Sequence, residues 1–274
     1  MRRGFRPRFF VDLPAPGASA AGGRLVLPAD DAHHARAVLR ARPGDPCEVV
    51  LLPVSADAAG GPASLALPGP GLLAVAHFVD VGRDVAVELD QTPRLGPADR
   101  VNVVICQALP RPGRVDEVLE KGTEVGVASF VLFPTDGSPS VAPEGLRKRA
   151  PRWERICREA AKQSKQWAVP SVVVAASVSV ALALVASAGL PSLVFEPSGG
   201  VGVGPALSAA MPGALVAGGI ALWVGPEGGW SAAEVAQFGG LDGVSLASLG
   251  GRILRTETAG PVVAALAHFV AGDW

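Results

Sequence analysis

Three apolar runs in the second half of the chain end in turns that carry glycine, arginine and glutamate. Ala221-Leu222-Trp223-Val224 leads into Gly225-Pro226-Glu227-Gly228-Gly229-Trp230, and Leu193-Val194-Phe195 leads into Glu196-Pro197. The run 244–249, ending in Leu249, leads into Gly250-Gly251-Arg252-Ile253-Leu254-Arg255-Thr256-Glu257-Thr258. Open α/β sheets bind ligands beyond the carboxyl ends of their strands, where glycine lets main-chain amides and carbonyls come close. These turns therefore predict a small molecule cradled by backbone, with guanidinium and carboxylate groups beside it. The spacing fits neither G-x-G-x-x-G nor G-x-x-x-x-G-K-[ST], which argues against a nicotinamide or ATP enzyme. No G-x-S-x-G elbow marks a hydrolase. Cys47, Cys106 and Cys157 form no C-x-x-C pair, so no disulfide framework and no metal site are expected. His33 and His34 are neighbours on a predicted helix, point apart, and cannot share a metal.

The elements that must position these turns can be read around them. Ser231-Ala232-Ala233-Glu234 has capping-box spacing and starts a helix just after the second turn. Upstream, strand 101–108, helix 115–125, strand 129–134 and a long helix 147–166 alternate, which predicts βαβ units and a mostly parallel sheet. On that long helix Trp153, Ile156, Cys157, Ala160 and Ala161 form a buried stripe. Arg152, Arg155, Lys162 and Gln166 fall along another side, with Arg158 and Lys165 beside them; that side is a phosphate-backbone track or a solvated surface. Pro261 is expected in the first turn of the last helix, where proline is tolerated. Residues 1–92 read differently, as strands 24–27, 47–52, 73–81 and 84–89 around one helix, 29–40. A Pro/Gly linker at 91–97 separates this β-rich domain, 1–92, from an α/β domain, 98–274.

The composition suits a globular protein: 274 residues, 49% hydrophobic, no tyrosine and a net charge of −1. There is no whole-molecule field to attract a polyanion. Positive charge instead collects at Arg2, Arg3, Arg6 and Arg8, at Arg36, Arg40 and Arg42, and across 147–165. Such patches hold phosphate backbones or are merely solvated. The charge-free stretch 168–195 is long enough to span a bilayer. Pro170, its serines and Gly189-Leu190-Pro191 divide it into a predicted strand, helix and strand, so no membrane is expected. The basic N-terminus has too short an apolar run for a signal peptide, and a cytoplasmic location is expected.

Val224-Gly225-Pro226-Glu227-Gly228-Gly229, followed by Leu249-Gly250-x-Arg252-Ile253-Leu254-Arg255-Thr256-Glu257-Thr258-Ala259, resembles the RsmE family of bacterial 16S ribosomal RNA uracil-N3 methyltransferases in the SPOUT superfamily. Glu120-Lys121-Gly122-Thr123-Glu124-Val125-Gly126-Val127 and Glu159-Ala160-Ala161-Lys162-Gln163-Ser164 agree in order with further family segments. So do Arg8-Phe9-Phe10-Val11 and the segment from His33 to Asp45, and the resemblance covers nearly the whole chain. It implies an N-terminal PUA-like β-barrel, a C-terminal SPOUT domain with a trefoil knot, and a homodimer acting on 16S rRNA or the small ribosomal subunit. It implies S-adenosyl-L-methionine as cofactor, held by Phe195, Glu196, Val224, Gly225, Pro226, Glu227, Gly228, Gly229, Leu249, Gly250, Ile253 and Leu254. Arg252 or Arg255 would stabilise the developing uracil anion or hold a flanking phosphate. Glu257 would accept the N3 proton, fix the arginine, or serve only as helix N-terminal charge. Trp230 would stack on a base or pack. Arg8, His33, Arg36, Arg40, Arg155, Lys162 and Lys165 are the expected RNA contacts, with one of His33 and His34 on RNA and the other packed. The basic residue usual in the family at 136–140 and the arginine near Gln166-Trp167 are missing here. Two alternatives stand beside this reading: a SPOUT methyltransferase for another RNA base, and a non-catalytic PUA-like RNA-binding protein.

Overall fold

A computed structural model describes residues 6–13, 20–53, 65, 67–110, 113–138, 143–198 and 200–274. Arg2, Arg3 and most of the loop 53–71 lie outside them. The chain divides into two compact units that exchange segments: Met1–Ala59, Gly69–Ala98 and Ala161–Ala168 form one, and Gly60–Pro68, Asp99–Ala160 and Val169–Trp274 the other.

The first unit holds β1 (Arg8–Asp12), β2 (Arg24–Val26), α1 (Ala29–His33), β3 (Pro46–Leu52), β4 (Leu72–Val81), β5 (Val85–Leu89) and β6 (Arg94–Leu95). The sheet runs β1-β3-β4-β5-β2, with β6 also on β4. Only β1 and β3 are parallel; the other ladders are antiparallel, including the expected β4–β5 hairpin. Alternate residues of β4 and β3 enter a core in which Phe9 and Phe78 meet edge to face at 5.9 Å. Two expectations change. The helix read over 29–40 is α-helical only to His33 and continues as a π-helical turn, His34–Val38. The linker read at 91–97 is partly a strand, because β6 pairs with Leu72 and Leu73.

The second unit alternates strands and helices, as the sequence pattern predicts. In chain order it contains β7 (Asn102–Ala108), α2 (Arg114–Glu124), β8 (Val127–Phe133), α3 (Pro143–Arg147), α4 (Ala150–Gln163), β9 (Ser171–Val174) and α5 (Val178–Ser187). It continues with β10 (Ser192–Phe195), α6 (Val203–Ala217), β11 (Gly219–Val224), α7 (Ala232–Gly239), β12 (Val244–Ala247) and α8 (Thr256–Ala271). The sheet order is β12-β10-β11-β7-β8-β9, and each of its ladders is parallel. Because side chains alternate across a strand, Val103 and Ile105 pack under α2, α6 and α8, while Val104 and Cys106 face α5 and α7. Among the described residues no helix is long and apolar enough to cross a membrane. The segment 168–195 is the strand, helix and strand read from its breaks.

Two helix readings are corrected, and one helix was not read at all. The long helix read at 147–166 is α4, Ala150–Gln163, and Arg147 belongs to the separate, preceding α3. Pro151 lies in the first turn of α4 and offers no N–H to the Arg147 carbonyl, so α3 does not run on into α4. Helix α6 had no sequence signal, since its residues carry no charge and Pro212 and Gly213 interrupt it. Pro261 lies beyond the first turn of α8, which begins at Thr256, so the Glu257 carbonyl has no helical donor.

Candidate active site

The three turns singled out by their residues converge. The carboxyl ends of β10 and β11 and the loop after β12 line one pocket of about 670 Å³ in the second unit. Strand order explains this. β11 lies between β10 and β7, and β12 flanks β10, so three turns distant in sequence open on one end of the sheet. Phe195, Glu196, Val224, Gly225, Pro226, Glu227, Gly229, Leu249, Gly250, Ile253 and Leu254 all line the pocket, together with Arg252, Arg255 and Glu257. Gly228 shares the second turn without lining the cavity. Gly251 lines it too, within the expected stretch 249–254; Arg114, Pro197, Thr256 and Ala259 also line it, and the sequence reading gave none of these four a role.

The pocket wall is held by buried hydrogen bonds. Gln107, fully buried at the end of β7, donates from Nε2 to the Ala108 carbonyl at 2.8 Å and to Thr256 Oγ1 at 2.9 Å. Thr256 Oγ1 in turn donates to the Gly225 carbonyl at 3.1 Å. One short chain thus ties β7, the second turn and the start of α8. Trp230 Nε1 donates to the Phe195 carbonyl at 3.0 Å, and the ring stacks near Phe133. Trp230 also restricts Gly225: a Cβ there would sit 3.2 Å from the indole ring. The capping box at Ser231 forms as its spacing predicts. Its Glu234, buried, accepts from the Asp136 backbone N–H at 3.0 Å as well as from Ser231.

Charge in the pocket is balanced. Glu257, with its side chain 11% exposed, lies 3.4 Å from Arg114 and 3.9 Å from Arg255. Glu196 accepts from the Ser198 backbone N–H at 2.7 Å and from the Ser198 hydroxyl. Thiol chemistry is disfavoured elsewhere in the chain, since burial pushes Cys47 and Cys157 up to about 12 and Cys106 well above its ordinary value.

The basic residues fare differently. Arg8 is buried: it pairs with Glu48, donates to the Lys165 and Gln166 carbonyls, and lies over the Trp167 ring. Lys162 pairs with buried Asp31, and Lys165 bonds Glu48 at 2.9 Å and the Arg6 carbonyl. These three, expected on RNA, instead hold the first unit together, because the segment Ala161–Ala168 folds into it. Arg36 donates to the Gly82 and Arg83 carbonyls. Arg40 and Arg155 are exposed. His33 and His34 are both exposed, so neither packs as one of them was expected to.

A family model for an RNA methyltransferase domain matches residues 97–268. The chain belongs to this RNA methyltransferase family. The resemblance read in the sequence is borne out within the family. Ribosomal RNA small subunit methyltransferase E of Bacillus subtilis is 33% identical over 160 residues, covering 58% of this chain and 62% of that protein. The chain therefore spans less than two thirds of that relative's length. The protein of the same name from Mycobacterium bovis is 29% identical over 288 residues, covering 97% of this chain and 92% of its own. A crystal structure of ribosomal RNA small subunit methyltransferase E from Neisseria gonorrhoeae, bound to S-adenosyl methionine, superposes with a TM-score of 0.77 at 24% identity. The match covers 97% of this chain and 98% of that one, and it shows that the two share a fold. The pocket lies wholly within the segment that the family model matches.

Proposed function

We propose that this chain is an S-adenosyl-L-methionine-dependent methyltransferase that modifies N3 of a uridine in 16S ribosomal RNA of the small subunit. The observation that carries the reading is the convergence of the Gly225 and Leu249 turns, with that after Phe195, on one pocket. Its volume of about 670 Å³ suits a nucleoside-sized ligand, since small-molecule pockets are commonly ~300–1,000 Å³. Gly225, Gly229, Gly250 and Gly251 line the cavity, and without side chains they let a ligand approach the main chain closely. When bound, the cofactor supplies a methyl group already activated on a sulfonium.

The residues of the chain then bind, orient and exclude. Val224 to Gly229 and Leu249 to Leu254 would hold the ligand through backbone contacts. Trp230 braces the wall between the first and second turns. Arg252 or Arg255 would stabilise the uracil anion or hold a flanking phosphate, because a guanidinium offers a fixed fork of donors. Alignment of N3 with the methyl group supplies much of the rate enhancement. The first unit is proposed as a PUA-like barrel that grips RNA, and the second as a SPOUT domain with its trefoil knot. Two copies would form a homodimer in the cytoplasm, with the pocket near their interface.

Methylated uridines mapped in 16S rRNA from cells with and without this protein test the reading. One uridine should lose its N3 methyl group in the deletion. Methylation lost at another base would establish a different acceptor. Unchanged methylation, with no thermal shift by S-adenosylhomocysteine, would leave a non-catalytic RNA-binding protein.

A further inference from the structure

Arg114 stands at the first position of α2, far in sequence from the three turns, yet it lines the pocket. Gly113, at φ +91°, turns the chain into that helix. The guanidinium is braced twice: Nη1 donates to Glu117 Oε1 at 2.9 Å and lies 3.4 Å from Glu257 Oε1. Its side chain is 40% exposed, whereas that of Arg255, which meets the same Glu257 oxygen at 3.9 Å, is 77% exposed. Glu257 is thus engaged by two guanidinium groups, of which Arg114 is the nearer and the less exposed. A guanidinium fixed in advance by two carboxylates is the kind of preorganised charge that stabilises an anion as it forms.

On the reading of this pocket as a methyl-transfer site, we propose that Arg114 is the catalytic cation facing the anionic acceptor base, and that Glu257 and Glu117 are its positioning residues. Arg255, more exposed and more loosely held, is left for the RNA phosphate. The acceptor loses a proton from its ring nitrogen to solvent, the nitrogen lone pair forms the N–CH3 bond, and the S–CH3 electron pair stays on sulfur. The charged groups that line this pocket are Arg114 from α2, Arg252 and Arg255 from the loop before α8, Glu257 from α8, and Glu196 and Glu227 from the other two turns.

The test is single-turnover methyl transfer to small subunits, from neutral to alkaline pH, by wild type, Arg114→Gln, Arg114→Lys, Glu257→Gln and the Arg114→Gln/Glu257→Gln pair. Loss of one preorganised donor typically lowers the rate about a hundredfold, and that is expected for Arg114→Gln at neutral pH. The deficit should narrow at alkaline pH, where the base ionises unaided, and Arg114→Lys should recover part of the rate. Cofactor affinity should be unchanged, which also confirms an intact pocket. Glu257→Gln should lose less, and nothing further when added to Arg114→Gln. A wild-type rate in Arg114→Gln, a deficit equal at every pH, or full additivity of the pair would overturn the inference. A wild-type protein that binds RNA and cofactor but transfers no methyl group would overturn the functional reading as well, so the control separates the two failures.

Discussion

Thr256 carries the joint between the second turn, β7 and α8, and Thr256→Val removes its hydroxyl at nearly constant volume. The side chain is buried, 5% exposed, and its oxygen both accepts from Gln107 Nε2 at 2.9 Å and donates to the Gly225 carbonyl at 3.1 Å. Each buried hydrogen bond contributes about 1 kcal/mol net, and an orphaned partner costs about 1–3 kcal/mol. Gln107 keeps the Ala108 carbonyl at 2.8 Å, and the Gly225 carbonyl borders a pocket that water can enter, so neither penalty is complete. The expected loss is therefore about 2 kcal/mol rather than the sum of two full penalties. Urea denaturation of wild type, Thr256→Val and Thr256→Ser measures it, and the serine, which keeps the oxygen, should recover most of the difference. Because the Gly225 turn is then untethered, S-adenosylhomocysteine affinity should fall by about tenfold, equivalent to 1.4 kcal/mol, by calorimetry. A valine variant within about 0.5 kcal/mol of wild type, with unchanged ligand affinity, would refute the claim that this chain of bonds shapes the pocket.

Other outcomes follow from the same contacts. Gly225→Ala should push on the Trp230 indole, 3.2 Å from the new Cβ, and weaken S-adenosylhomocysteine binding with little loss in melting temperature. Arg8→Ala should destabilise the first unit by about 3 kcal/mol in chemical denaturation, because it removes a buried partner of Glu48 and the donor to the Lys165 and Gln166 carbonyls. Arg155→Ala, at an exposed site, should leave stability alone and reduce the salt dependence of RNA binding by about one unit of slope. Burial raises the Glu48 carboxyl, but its bond to Lys165 and the charges of Lys165 and Arg8 outweigh that and hold it below its ordinary 4.5. Its stabilisation is thus present above that value and lost as pH falls through the depressed one, so Glu48→Gln should flatten the acid limb of stability against pH.

Local pattern carried much of this protein. The switch from β-rich to alternating strand and helix, the break of 168–195 into three elements, the capping box at Ser231 and the glycine turns all depend on residues within a few positions of one another. What failed locally had local causes too. Pro151 set a later start for a helix whose apolar stripe was correct, and α6 lacked any polar face to reveal its period.

The sequence by itself determined which turns hold glycine, guanidinium and carboxylate, because residue type fixes backbone freedom and charge. Only the tertiary structure decided that β11 inserts between β10 and β7, which brings those turns to one rim, and that Arg114 arrives there from α2. It also decided that Arg8 and Lys162 are withdrawn into the first unit by partners 157 and 131 residues away. Strand order and long-range ion pairs depend on which surfaces bury one another, and no periodicity along the chain encodes that.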